Sequence, residues 1–147
     1  MKPYVTFTVA GEPKGKGRPK FSTINGHAQA ITPERTVIYE NLVKTMYAAN
    51  CGNFKFPDDA QLDMSIIAYF AIPKSASKKK RQDMQDGKIR PTKKPDMDNI
   101  IKIIADALNQ IAYKDDSQIV DTTIQKYYSD NPRVIVMIKE AEFTWQT

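Results

Sequence analysis

Apolar and polar residues alternate along Tyr4–Val9, with Val5, Phe7 and Val9 on one face, and this period of two predicts a strand. The same period runs longest over Gln61–Ile72, where Leu62, Met64, Ile66, Ala68, Phe70 and Ile72 share a face. The opposite face of that strand, Asp63, Ser65, Ile67, Tyr69 and Ala71, is mixed, which predicts a side only half covered. Phe21–Ile24 and His27–Ile31 flank Asn25-Gly26, the pair that supplies the positive φ angles of a tight hairpin turn. Ile119–Tyr128 and Arg133–Ile138 read as two further strands joined by the turn Ser129-Asp130-Asn131-Pro132. In the second, Val134, Val136 and Ile138 alternate with Ile135 and Met137, which predicts cover on both sides.

Two stretches carry a helical period instead. Thr32-Pro33 places a capping hydroxyl before a proline suited to the first helical position. The helix is expected to run to about Asn50, to bury the stripe Ile38, Leu42, Met46 and Ala49, and to end at Gly52. A more apolar helix follows Asp98 as far as Ala112. Ile100, Ile104, Ala107 and Ile111 form one row and Ile101, Ala105, Leu108 and Ala112 the next, a wide buried face. The stripe left over is Asp98, Lys102 and Asp106, spaced four apart and therefore on one side. Between the two helices, Lys74–Lys94 is basic and nearly without an apolar stripe. Ser75 or Ser77 is placed to cap a short helix there ending at Gly87, in a segment expected to be mobile without its partner. The pattern predicts one α+β domain over residues 1–147, a mixed sheet packed with two main helices. The tail Ala141–Thr147 stays open, with Trp145 either packed on a neighbour or marking a partner surface.

Composition narrows the chemistry. A chain of 147 residues, 41% hydrophobic, fills one core. No apolar run approaches a membrane span, and Met1–Ala10 lacks the continuous apolar segment of a signal peptide, so a soluble protein is expected. Cys51 has no partner for a disulfide, which suits a reducing cytoplasm. One Cys and one His exclude a structural zinc site, and His27 falls at the hairpin turn as an exposed residue. Any metal here is a hard ion held by carboxylates. Net charge is +5, unevenly spread. Lys14, Lys16, Arg18 and Lys20 stand against Glu12 alone, and residues 74–94 carry nine Lys/Arg against Asp83 and Asp86, which leaves the remainder at −5. Two basic stretches on an acidic body point to a polyanionic partner. The glycine-rich Gly11–Pro19 resembles a phosphate-binding loop but lacks the Walker spacing, which argues against a nucleotide cofactor. It reads equally as a basic loop on DNA phosphates or as a connector.

Acidic residues cluster at both ends of the second helix, Asp96 with Asp98 before it and Asp115 with Asp116 after it. A single helix needs one cap, so capping explains one of the first pair. The second pair lies where the helix dipole disfavours negative charge. Clustered carboxylates are strained unless a cation sits among them. Lys102, one turn from Asp98, is placed to neutralise charge on a scissile phosphate. The same residues also make a plain ion-pair ladder, Asp98–Lys102–Asp106. The helix, roughly 20 Å long at 1.5 Å per residue, separates the pairs. They meet only if residues 113–120 return along the helix, or across a dimer interface.

The run Asp96-Met-Asp98-Asn99-Ile-Ile-Lys102, then Asp106-Ala-Leu108, then Asp115-Asp116-Ser-Gln118, resembles the RusA family of Holliday junction resolvases. Pro13-Lys-Gly-Lys-Gly-Arg18-Pro, Thr32-Pro-Glu34 and Ile72-Pro-Lys74-Ser with Lys78-Lys-Lys-Arg81 look like prophage-type members, so the resemblance covers nearly the whole chain. It implies a Mg2+-dependent (Mn2+ a possible substitute), homodimeric endodeoxyribonuclease, bacterial or phage-encoded and cytoplasmic, that resolves four-way junction DNA by paired symmetric nicks in recombination and repair. Asp96, Asp98 and Asp116 take the metal-binding positions and Lys102 the essential lysine, with Asp115 a further metal candidate beside them. Lys14, Lys16, Arg18, Lys20, Lys78, Lys79, Lys80, Arg81, Lys93 and Lys94 form the expected DNA-binding set. One departure is Pro95, where some members carry a basic residue before the first Asp. Two other readings compete: a branched-DNA-binding protein that does not cut, and a structure-selective nuclease acting on flaps or forks.

Overall fold

Strands form where the period of two predicts them. The computed structural model describes residues 3–142, apart from the side chains of Lys20 and Ile24; Trp145 lies outside the described residues. β1 (Tyr4–Ala10) buries Val5, Phe7 and Val9, and the tip of the hairpin β2 (Lys20–Ile24) and β3 (His27–Ile31) turns through Asn25 at φ 53 and Gly26 at φ 79. β4 (Leu62–Ala71) alternates without a slip, and β5 (Ile119–Ser129) and β6 (Arg133–Glu140) follow late in the chain. The sheet order is β1-β6-β4-β5. β6 runs antiparallel to β1 and β4, while β4 and β5 are parallel, so the sheet is mixed as expected. The turn at Ser129–Pro132 joins β5 to β6 in sequence, yet β6 pairs with β1 and β4 instead of with β5.

The helices are α1 (Glu34–Cys51), α2 (Lys78–Gln85) and α3 (Met97–Ala107), with the last two inside the crossover from β4 to its parallel neighbour β5. α1 departs from expectation in three ways. Pro33, not Thr32, holds the N-cap position, with no side-chain cap bond. The buried face is Thr36, Tyr39, Val43 and Tyr47. Most of the expected stripe points outward: Ile38 is 61% exposed, and Leu42 and Ala49 are exposed with it, while Met46 is half buried against the core. The reason is aromatic fit. Tyr47 meets Phe7 edge-on at 5.6 Å and its hydroxyl donates to the Phe54 carbonyl at 2.6 Å, giving a large ring both packing and a polar outlet. α3 is also shorter than its apolar pattern. It ends at Ala107, Gln110 takes φ 67, and the chain turns so that Ile111 is only half buried while Ala112 and Tyr113 reach the core.

One core lies between the sheet and α1 and α3, built from Val5, Phe7, Val9, Leu62, Met64, Ile66, Phe70, Ile100, Ile103, Ile104, Leu108, Val134, Val136 and Ile138 among others. Among the described residues, the far side of the sheet has no such cover. Met137 is exposed and Ile135 half buried, which corrects the expectation of β6 covered on both sides. Across that open side runs a row of stacked groups: Arg90 over Tyr127 at 4.2 Å, Tyr127 beside Tyr69 at 6.2 Å, and Arg133 over Tyr69 at 4.1 Å. The basic segment is not a free arm either. Ser77 caps α2 by accepting from the Lys80 N–H, Met84 is buried, Arg81 pairs with Asp130 at 3.2 Å, and Arg90 Nε donates to the Lys126 carbonyl at 2.9 Å.

Candidate active site

α3 begins at the carboxyl end of the parallel pair β4–β5, the edge where open α/β sheets place ligands. Asp96 stands in its N-cap position in extended conformation, and Asp98 lies in the first turn. Both are exposed. Asp96 does not use its carboxylate as a cap. Among the described residues, neither Asp96 nor Asp98 is in a salt bridge. Ordinary capping therefore does not account for either carboxylate. Lys93 and Lys94, exposed, come just before them.

Behind this end lies a residue that the sequence did not single out. Lys126 of β5 is 8% exposed, and its ammonium donates to the carbonyls of Lys93 at 2.7 Å and Pro95 at 3.1 Å, 5.0 Å from the Phe70 ring. Burial pulls its pKa down, and the Asp96 charge opposes that fall. The available signal was a lysine at alternate spacing between Ile124 and Tyr128, the side of β5 that packs against the core.

The other end of α3 is crowded. Asp116 opens a 3-10 turn, Asp116–Gln118, whose cap is Asp115. Asp115 accepts from the Ser117 N–H at 3.0 Å, and these Ser117 bonds hold its carboxyl below the usual range. Gln118 closes the box by accepting from the N–H groups of Lys114 and Asp115. Asn109 Oδ1 accepts the Asp116 N–H at 2.8 Å. The Asp116 side chain meets that of Asp106; desolvation, then Asp106, push its carboxyl above the ordinary value, with Lys102 opposing. Asp106 in turn holds two ammoniums, Lys102 and Lys16, each 3.3 Å from Oδ2. Of the expected ladder only the Lys102–Asp106 rung forms. The Lys102 side chain is 60% exposed, with its ammonium against the Asp106 carboxylate.

β5 does return antiparallel to α3, but it starts at the Asp116 end, so the return brings Lys126 rather than Asp116 to Asp96. Asp98 and Asp106 are two turns apart, roughly 12 Å at 1.5 Å per residue. Among the described residues no three His, Cys, Asp or Glu side chains gather as a metal centre. What the chain offers a hard cation is two all-oxygen pairs, one at each end of α3. The donor chemistry fits magnesium, which takes one or two carboxylates and keeps water and phosphate for its remaining positions.

The basic residues take different stations. Lys14 and Arg18 are exposed, as are Lys78, Lys79 and Lys80 along α2, where Lys79 pairs with Asp83 at 3.1 Å. Lys16 is turned inward. The side chain of Lys20 lies outside the described residues. No helix among the described residues is long and apolar enough to cross a membrane.

Comparison with known proteins adds a family. A model described as endodeoxyribonuclease RusA matches residues 10–139. A Bacillus subtilis (strain 168) protein, described as uncharacterized protein YqaN, is 40% identical over 138 residues, spanning 92% of this chain and 96% of the relative.

Proposed function

We propose, from the premise that this chain belongs to the RusA endodeoxyribonuclease family, that it is a magnesium-dependent nuclease resolving four-way DNA junctions by paired nicks as a homodimer. The observation that carries the reading is the pair of exposed carboxylates at the start of α3, Asp96 and Asp98, one of them in a cap position it does not use. In this reading Asp96, Asp98 and Asp116 hold the ion, which when bound supplies charge to activate water and to stabilise the leaving oxygen. Asp115 caps the turn that presents Asp116. Lys102 meets the scissile phosphate and neutralises the charge that grows as the bond breaks. Lys93 and Lys94 lie beside Asp96, and Lys14, Arg18 and the α2 lysines extend a cationic surface along the arms, so affinity falls steeply with salt.

The two carboxylate pairs lie at opposite ends of one helix. We take them to serve one ion across the dimer, the Asp116 end of one protomer completing the Asp96–Asp98 end of its partner. Two-fold symmetry then gives two equivalent sites for the two equivalent strands of a junction.

The test is cleavage of a labelled four-way junction, a flap and a linear duplex with Mg2+ or Mn2+. Symmetric, ligatable nicks in the junction alone are expected. Binding without cutting would leave a branched-DNA-binding protein, and faster cutting of the flap a general structure-selective nuclease.

A further inference from the structure

Residues 11–17 are strapped down at several points. Gly11 N–H donates to the Pro132 carbonyl at 3.0 Å, Glu12 Oε1 accepts from the Ala71 N–H at 2.9 Å, and Pro13 is buried. The strap then passes between the starts of two helices. Lys16 N–H donates to the Asn99 carbonyl of α3 at 3.1 Å, and Gly17 N–H donates to Thr36 Oγ1 of α1 at 3.0 Å. Neither glycine has room for a side chain. A Cβ on Gly15 would sit 2.9 Å from Pro95 Cβ and 3.0 Å from Asn99 Cβ, and one on Gly17 2.7 Å from Thr36 Oγ1. The Gly-Lys-Gly spacing thus reflects close approach to two helices, with one long side chain aimed between them.

That side chain is Lys16. Its ammonium lies 3.0 Å from Glu40 Oε2 on α1 and 3.3 Å from Asp106 Oδ2 on α3, and it is 23% exposed. Desolvation alone would lower its pKa, but hydrogen bonds and charge from Glu40 and Asp106 outweigh this and leave it raised. Lys102 reaches the same Asp106 oxygen from the solvent side. An exposed lysine paired with a carboxylate one turn away is weakly held on its own. Here the carboxylate has a second cation behind it, mounted on backbone that is itself pinned to both helices.

We propose that Lys16 is a positioning residue of the cleavage site, anchoring Asp106 from within so that Asp106 orients the Lys102 ammonium toward substrate phosphate. Lys16 is then not one of the DNA contacts, although it lies in a basic run. The inference rests on the nuclease reading for its kinetic consequence and on the observed ion pairs for its mechanical one.

The experiment compares Lys16→Met, Lys16→Arg, Asp106→Asn and the double variant Lys16→Met/Asp106→Asn in the full chain. Single-turnover cleavage of saturating junction is expected to fall on the order of tenfold in Lys16→Met, the scale of a small misplacement of a reacting group. Junction Kd is expected to stay unchanged, Lys16→Arg to recover most of the rate, and the double variant to be no slower than the slower single. The idea fails if Kd weakens and the salt slope drops while the rate at saturation holds, which would make Lys16 a phosphate contact. It fails too if rate and melting temperature fall together with no recovery in Lys16→Arg, which would make Lys16 only a strut between helices. If the unaltered protein does not cut with Mg2+ or Mn2+, the nuclease reading falls by itself, and acylation of the Lys102 amine, followed by mass spectrometry, still decides the anchor. Reactivity rising equally in Lys16→Met and Asp106→Asn supports it; no change, or a fall in Lys16→Met as Lys102 takes sole hold of Asp106, overturns it.

Discussion

The two ends of α3 carry the same kind of side chain in opposite circumstances. At the start, Asp96 and Asp98 face solvent, in no salt bridge among the described residues. At the finish, Asp106, Asp115 and Asp116 are each engaged, by two lysines, by a capped turn and by one another. Identical carboxylates are thus divided into a pair with coordination to spare and a set whose geometry is already fixed. Aspartate count alone does not identify a metal site; what matters is which oxygens the fold has left uncommitted.

The largest effect should come from the uncommitted end. Asp98→Asn is expected to reduce cleavage on the order of a thousandfold with junction affinity retained, as for loss of a group that acts mainly in the transition state. Mixing then sharpens the contrast. Asp98→Asn and Asp116→Asn homodimers should each be inactive, while a mixed dimer recovers one nick per junction, since one of its two shared sites is whole. If mixing restores nothing, each protomer builds its site alone.

A middle-sized effect should come from the strap that ties α1 to the start of α3. Gly15→Ala places a Cβ against Pro95 and Asn99, and forcing a methyl into packed structure costs about 1–3 kcal/mol, readable by denaturant unfolding. No loss of stability would mean that the strap adapts and that the Asp96 end is less rigid than its packing indicates.

The smallest effect concerns acidity. Desolvation and Asp106 raise the Asp116 carboxyl above its unfolded value. Its contribution to stability is therefore complete below the ordinary aspartate range and is lost as pH rises through the raised value. Asp116→Asn should flatten the melting temperature against pH across that interval and leave neutral stability equal or slightly higher. A clear fall at neutral pH would show that the ionised form is stabilising and that the two ends differ less than their surroundings imply.

Much of this was legible in the chain. Strict alternation marked β4 and β1, Asn25-Gly26 marked the hairpin turn, and the width of the apolar face marked α3 as buried. α1 was misread because it carries two comparable stripes. Tyrosine counts poorly in a pattern of hydrophobicity, yet Tyr39 and Tyr47 fit the sheet and Ile38 does not. The position of β6 between β1 and β4 and the packing of the basic segment depend on long-range pairing that no local period encodes. The acidic pairs and Lys102 were visible as motif residues; Lys16 was visible only as a DNA-contact candidate and Lys126 not at all, because their partners lie on α1, α3 and the loop before α3, remote in sequence.

Lys126 has a consequence for how tightly the first carboxylates can bind. Its buried ammonium, held by the carbonyls of Lys93 and Pro95, stands within electrostatic reach of Asp96. In the magnesium reading proposed above, its charge would weaken an ion held by Asp96 until a polyanion shares the load. On that reading the ion would arrive with the nucleic acid and depart with the product, so that the idle protein would carry no armed blade.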